Sequence, residues 1–119
     1  MVNVYKAGDN DLRPWGKWEV LAVGAGYCVK RITVNPNGIL SLQSHNFREE
    51  NWLIAEGEAL ITLGDKKIIR TVGESVYIPV GVKHRIQNEG KSPLVFIELQ
   101  TGSKLDELDI IRYEDKYGR

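Results

Sequence analysis

The sequence predicts an all-β protein that folds as one antiparallel barrel or sandwich. Short apolar segments recur along the chain and are separated by turn sequences, such as NPNG at 35–38 and PVG at 79–81. No window before residue 103 repeats its apolar residues every 3.6 positions, as an amphipathic helix would. Instead, Val95, Ile97 and Leu99 occupy every second position, which is the period of a β-strand.

The segments between these turns are rich in β-branched and aromatic residues, which favour strands. We predict strands at 18–23, 27–34, 40–44, 51–60, 67–70, 75–78, 84–88 and 94–100. The core is expected over about residues 27–102, and helix, if the chain has any, only in the charged tail 103–119. Because there is no linker, repeat or low-complexity tract, we predict a single domain over residues 1–119.

The composition excludes several classes of partner. Sixteen basic and sixteen acidic residues cancel, so the chain has no overall field to attract nucleic acid or an anionic membrane. No stretch reaches the roughly 18 apolar residues that a membrane-spanning helix needs, and the N-terminus lacks a signal-peptide pattern. We therefore expect a soluble cytoplasmic protein. The single cysteine, Cys28, cannot form an internal disulfide, and we interpret it as a core side chain.

Four potential metal ligands fall in the segments 43–50 and 73–88. Gln43 and His45 are two positions apart on a strand, so they share a face. A tight turn at 46–49 would let Glu50 begin an antiparallel partner strand that faces them. His84 follows the turn at 79–81, and alternation points it inward, where it can supply a fourth ligand.

Two imidazoles, one carboxylate and one amide oxygen would form a mixed nitrogen and oxygen site for one divalent metal ion. We expect zinc, although manganese, iron, cobalt and nickel also suit these ligands. The alternative is that His45 and His84 are ordinary hydrogen-bonded histidines.

The two segments resemble the signature motifs of the cupin superfamily. The first motif runs from Gln43 through His45 and Glu50 to Gly57, and the second consists of Gly73, Pro79, Gly81, His84 and Asn88. This resemblance implies a jelly-roll-like barrel, the double-stranded β-helix. Gln43 stands where many cupins have histidine, and a neutral amide is a weaker ligand that leaves the metal more electropositive.

A narrower resemblance runs from about Arg13 to the end of the chain. The segments 37–43, 77–84 and 98–102, Trp52 and the closing RYEDKYGR are similar to the type II phosphomannose isomerase domain at the end of bacterial bifunctional isomerase/guanylyltransferases. In that family a Gln, His, Glu, His set holds the metal, which corresponds here to Gln43, His45, Glu50 and His84. The implied reaction interconverts mannose 6-phosphate and fructose 6-phosphate.

The chain also departs from this family in two ways. The family tends to have histidine where this chain has Asn46, Phe47 and Asn51. The nucleotidyltransferase half is absent, since there is no glycine-rich phosphate-binding loop and no room for a nucleotide domain. The absence of that half excludes GDP-mannose synthesis by this chain alone.

An aldose-ketose isomerase also needs a general base, and cations for the substrate phosphate. Glu98 is the candidate base, because alternation can place it on the inner face of its strand, although an outward polar face is equally open. The candidate cations are Lys30, Arg112, Lys116 and Arg119. The last three lie in the tail that the resemblance marks as functional, and we give Arg112 a catalytic role. Trp52 is expected to face the cavity, in contact with a sugar or simply as core.

Other functions stay open at this point. The chain could be a metal cupin of different chemistry, such as an oxygenase or an isomerase of another sugar. It could also be a sugar-binding module without catalysis. A small-molecule sugar phosphate is the ligand of the leading hypothesis, and a homodimer is expected in every case.

Overall fold

The computed structural model describes residues 1–118, and every regular element in that range is a β-strand. The thirteen strands are β1 Val2–Asn3, β2 Asn10–Arg13, β3 Gly16–Gly24, β4 Tyr27–Val34, β5 Leu42–Ser44, β6 Arg48–Glu56, β7 Ala59–Leu63, β8 Lys66–Arg70, β9 Ser75–Ile78, β10 His84–Gln87, β11 Leu94–Gly102, β12 Lys104–Leu105 and β13 Ile111–Glu114. A search of this range finds no helix long and apolar enough to cross a membrane.

Two antiparallel sheets enclose the main core. One has six strands in the order β2-β3-β4-β11-β6-β9, and the other has five in the order β13-β5-β10-β7-β8. Ile54 and Phe96 of the six-stranded sheet belong to the same buried cluster as Ile61 and Ile86 of the five-stranded sheet. Burial of each such side chain stabilises the fold by about 1.5–3 kcal/mol. The prediction of an all-β, jelly-roll-like barrel is confirmed.

The predicted strand 51–60 is in fact divided between two strands. The chain turns at Gly57, whose φ of 82° is a conformation that glycine adopts readily and other residues rarely do. A Cβ atom at this position would also lie 3.0 Å from the carbonyl oxygen of Pro93. The strand before the turn, β6, joins the six-stranded sheet, whereas the strand after it, β7, joins the five-stranded sheet.

The predicted hairpin between Gln43 and Glu50 is also wrong. Strand β5, which carries Gln43, pairs with β10 and β13, whereas β6, which carries Glu50, pairs with β11 and β9. The loop 45–47 therefore carries the chain from one sheet to the other. Gln43 and Glu50 approach each other from opposite walls of the barrel, because long-range pairing and not the local turn selects the partners of each strand.

The tail, the one segment where the sequence leaves room for helix, forms strands within the described residues. Strand β12 pairs in parallel with β1, and β13 adds to the edge of the five-stranded sheet beside β5. Sheet edges offer unpaired backbone groups, which the tail satisfies. Leu105 anchors it in a small buried cluster with Tyr5, Val20 and Cys28. Since Trp15 is also buried in the main cluster, the packed core begins ahead of residue 27.

Candidate metal centre

A cavity lies between the two sheets, and most of the predicted site residues line it. Its wall includes all four predicted metal ligands, Gln43, His45, Glu50 and His84. It also includes Lys30, Trp52, Glu98 and Arg112.

The five-stranded sheet contributes one row of side chains to this wall. Gln43 on β5 lies opposite His84 on β10, and Arg112 on β13 lies opposite Gln43. Residues directly opposite each other in an antiparallel ladder project from the same face. Arg112, Gln43 and His84 therefore form a continuous row across three strands, and all three line the cavity.

The six-stranded sheet contributes the opposite wall. Alternation along β6 buries Arg48, Glu50 and Trp52, while Glu49 and Asn51 lie on the other face. On the neighbouring strand β11, Glu98 lies opposite Trp52. The inner face of this sheet thus carries the two carboxylates that the sequence singles out.

His45, Glu50 and His84 form a buried group whose potential ligand atoms all lie within 4.8 Å of one another. His45 Nε2 is 3.1 Å from Glu50 Oε2, and the two imidazole rings are 4.9 Å apart between centroids. Ligands held 2.0–2.2 Å from a tetrahedral zinc ion are about 3.4 Å from one another. The spacing of His45 and Glu50 is already close to this value.

The hydrogen bonds of both histidines leave the correct nitrogen for a metal. His45 Nδ1 lies 2.7 Å from the Asp109 carbonyl oxygen, and His84 Nδ1 lies 2.9 Å from the Val82 carbonyl oxygen. A carbonyl only accepts, so each Nδ1 carries the proton and the Nε2 lone pair of the neutral ring is left for a cation. His45 Nε2 and Glu50 Oε2 are electron-rich atoms 3.1 Å apart, and the guanidinium of Arg48 contacts both, so this end of the site holds positive charge. The donor set therefore fits a divalent metal ion.

Arg48 is a central residue of the site that the sequence reasoning missed. Its Nε donates to Glu50 Oε2 over 2.9 Å, and its Nη2 lies 3.4 Å from His45 Nε2. The pKa of Glu50 lies well below its usual range although burial would raise it, and the Arg48 guanidinium is the largest opposing influence. Glu50 is thus a carboxylate ready to bind a cation. Arg48 lies two positions before Glu50 on the same strand, a spacing from which its inward face could have been predicted.

Glu98, the predicted base, lies on the inner face and is buried. Trp52 Nε1 donates to Glu98 Oε1 over 3.2 Å and to Glu50 Oε1 over 2.9 Å, so one indole N–H connects the two carboxyl groups. Gln100 Nε2 donates to Glu98 Oε2 over 2.8 Å. Burial, reinforced by the charge of Glu50, raises the pKa of Glu98 to about 8.

The predicted cations are placed very differently from one another. Lys30 is buried, with its Nζ 4.2 Å from the Tyr5 ring centroid, 4.4 Å from the Trp18 ring centroid and 2.8 Å from Glu107 Oε1. Arg112 lines the cavity and has no ion-pair partner within residues 1–118. Lys116 lies in a separate surface depression beside Asn37. Arg119 lies outside the described residues.

Two further arginines that the sequence reasoning missed, Arg13 and Arg85, also line the cavity. Both are occupied by acidic groups, since Arg13 Nη1 is paired with Asp11 and Arg85 Nη1 with Glu114. Arg112 is therefore the cavity cation whose charge is least engaged within the described range.

The three positions at which this chain departs from the histidines of type II isomerases lie outside the cavity. Asn46, Phe47 and Asn51 are exposed, and none of them is among the cavity-lining residues. The departures therefore remove no ligand from the metal centre.

Comparisons with known proteins agree with this fold. The family model described as "Mannose-6-phosphate isomerase C-terminal" matches residues 3–115. The xanthan biosynthesis protein XanB of Xanthomonas campestris pv. campestris is 50% identical over 107 residues, which are 90% of this chain and 23% of that protein. The mannose-1-phosphate guanylyltransferase of Escherichia coli K12 is 47% identical over 108 residues, which are 90% of this chain and 22% of that protein. The chain thus spans less than a quarter of these relatives.

A crystal structure from Klebsiella pneumoniae, of a protein with a double-stranded β-helix domain, superposes with a TM-score of 0.71. The two share 17% sequence identity, and the match covers 82% of this chain and 83% of that one, so it shows the fold alone. The family match extends over nearly the whole length and includes every residue of the metal centre. The chain has the double-stranded β-helix fold and belongs to the mannose-6-phosphate isomerase C-terminal family.

Proposed function

We propose that this domain is a metal-dependent mannose-6-phosphate isomerase, which interconverts mannose 6-phosphate and fructose 6-phosphate. The observation that carries the proposal is the meeting of three groups in one cavity. They are a buried metal-ligand set, the further buried carboxyl group of Glu98 on the six-stranded sheet, and an arginine with no ion-pair partner within residues 1–118. The family match and a mannose-phosphate enzyme among the relatives support the choice of sugar.

The reaction moves one proton between neighbouring carbons of the open-chain sugar. A base removes the proton from C2 of mannose 6-phosphate while O1 gains a proton, which gives an enediol. Return of a proton to C1 and loss of the proton on O2 then give the C2 ketone of fructose 6-phosphate. We assign Glu98 as the base, because it is the cavity-lining carboxyl group left when Glu50 binds metal and Glu107 pairs with Lys30. The N–H groups of Trp52 and Gln100 hold its carboxyl group in place.

A divalent ion held by Gln43, His45, Glu50 and His84 would polarise the substrate carbonyl and stabilise the negative charge that develops on its oxygen. Zinc is the ion we propose, because two imidazoles and a carboxylate are typical of zinc sites. Gln43 completes the set from the strand position opposite His84.

The substrate phosphate is assigned to Arg112. Its position beside Gln43 would hold the phosphate at the cavity, with the sugar carbons extending toward the metal. A guanidinium group binds phosphate oxygens in a bidentate manner, which favours arginine for this task.

The direct test is turnover of mannose 6-phosphate by the purified protein, before and after chelation and with each of several divalent ions restored. We expect metal-dependent turnover that is lost in His84→Ala and retained in Asp65→Asn, a control in an exposed turn. A folded, metal-loaded protein that leaves the sugar unchanged would contradict the proposal. Saturable binding without turnover would then indicate a sugar-binding module, and oxygen-dependent turnover of another substrate would indicate an oxygenase.

A further inference from the structure

The start of the tail, residues 106–109, contacts three side chains of the cavity wall. The Asp106 carbonyl oxygen accepts a 3.4 Å hydrogen bond from Arg48 Nη1. Glu107 Oε1 pairs with Lys30 Nζ over 2.8 Å, and the Asp109 carbonyl oxygen accepts from His45 Nδ1 over 2.7 Å. Three of these four residues, Asp106, Glu107 and Asp109, thus reach β4, β6 and the loop that follows β5.

Asp109 makes the most extensive of these contacts. Its carboxylate accepts the backbone N–H of Asn46 on Oδ1 and that of Phe47 on Oδ2, both over 3.0 Å. Asp109 is buried, and its own N–H donates to the Asp106 carbonyl oxygen over 3.0 Å, which closes the turn 106–109. One residue therefore fixes both the backbone of the loop 45–47 and, through its carbonyl group, the ring of His45.

This arrangement matters for the ligand because His45 lies in a loop and not on a strand. Its backbone lies outside the strand ladders and is held by one bond, from the Gly81 N–H to its carbonyl oxygen over 2.8 Å, whereas Glu50 and His84 are placed by β6 and β10. Groups that orient a metal-binding imidazole typically change metal affinity by 10–100-fold when they are mutated. Asp109 supplies that orientation from a segment 64 residues away in the sequence.

We propose that Asp109 is a positioning residue for the metal centre and that docking of the turn 106–109 is coupled to metal binding. The proposal rests on the metal site of the proposed function, but not on isomerase activity. When the turn 106–109 is docked, it orients His45 Nε2 toward the metal site. An ion that binds this site therefore stabilises the docked conformation of the turn. Such coupling is reciprocal, and each event strengthens the other by the same factor.

The first test compares Zn²⁺ affinity, measured by competition with a chromophoric chelator, in the wild type, Asp109→Asn and the control Asp65→Asn. The asparagine keeps the shape of the side chain but sets its NH₂ group against one of the two backbone N–H donors. We expect Asp109→Asn to bind Zn²⁺ about 10–100-fold more weakly, and Asp65→Asn to match the wild type. Equal affinity in all three proteins would overturn the proposal, as would a wild type that binds no Zn²⁺.

The second test measures the coupling between metal binding and docking of the turn in the wild-type protein, so it does not depend on whether Asp109→Asn folds. We expect Zn²⁺ to slow hydrogen exchange of the Asn46 and Phe47 amides and to slow tryptic cleavage after Arg112. Exchange and cleavage that are unchanged by saturating Zn²⁺ would overturn the coupling. Neither test uses the sugar, so failure of the isomerase assay leaves these results interpretable.

Discussion

Arg48 and Glu50 form an ion pair over 2.9 Å in which both side chains are almost completely buried. Removal of one partner from such a pair leaves a buried charge uncompensated, which typically costs about 3–5 kcal/mol. We therefore expect Arg48→Met to lower the free energy of unfolding of the metal-free protein by about this amount. Urea denaturation of the chelated protein measures it.

The matched control for this prediction is Arg31→Met, which removes a surface pair with Glu19. Exposed ion pairs contribute little, so the control should lose much less stability. Addition of Zn²⁺ should reduce the loss in Arg48→Met, because a metal cation beside Glu50 compensates the same charge. Equal losses in both variants, or a loss that does not respond to Zn²⁺, would contradict the prediction.

Glu98→Gln should separate proton transfer from metal binding. The amide keeps the size of the side chain and can still accept a hydrogen bond from Trp52, but it cannot take a proton from C2. We expect kcat for mannose 6-phosphate to fall by about 10²–10⁴-fold, with unchanged Zn²⁺ affinity. The exposed Glu58→Gln is the control, and a Glu98→Gln variant with wild-type kcat would rule out the assigned base.

Cys28 should be almost inert toward thiol reagents in the folded protein. It is fully buried, and burial raises the pKa of its thiol to about 11. Only the thiolate reacts, and about one thiol in a thousand is ionised three pH units below its pKa. We expect very slow reaction with Ellman's reagent at pH 8 and rapid reaction after unfolding in guanidinium chloride. Rapid labelling of the folded protein would contradict this placement.

Glu107 should make stability depend on pH through its contact with Lys30. Burial alone would raise the pKa of Glu107, but Lys30 more than offsets burial and lowers it. A carboxyl group whose pKa is lower in the folded state stabilises the protein above its unfolded pKa of about 4.3. That contribution is lost as the pH falls through the folded pKa.

The comparison that isolates this effect is urea denaturation of the wild type and Glu107→Gln at several pH values between 7 and 3. The wild type should be the more stable protein at neutral pH, and the difference should shrink below about pH 4. A difference that stays constant down to pH 3 would show that the Lys30 contact does not depend on the charge of Glu107.

The faces of the strands could be read from the sequence because alternation is a local property. Gln43, Glu50 and His84 all line the cavity, as alternation and spacing predict. Arg48 follows from the same rule, since it lies two positions before Glu50. What alternation cannot decide is which strands become neighbours, because pairing depends on contacts far apart in the chain.

The incorrect predictions concern features that depend on long-range strand pairing and not on local alternation. A local turn signal at 46–49 suggested a hairpin, but β5 and β6 find their partners in different sheets. Asp109 carries no local signal at all, since its three acceptor contacts are to residues 62–64 positions away. The sequence identifies Lys30 only as a cation, whereas its enclosure by Tyr5 and Trp18 depends on how the N-terminal segment packs.

The loop 45–47 also connects the metal centre with the stability of the barrel. Because it carries the chain between the sheets, Glu50 belongs to one layer of the barrel and His84 to the other, with His45 between them. An ion bound by these residues would cross-link the two sheets. Any fluctuation that separates the two sheets would have to release the ion. At a free ion concentration 100 times Kd, this release adds about 2.7 kcal/mol to the free energy needed to separate them. An ion bound at this site would thus also hold the two sheets of the barrel together.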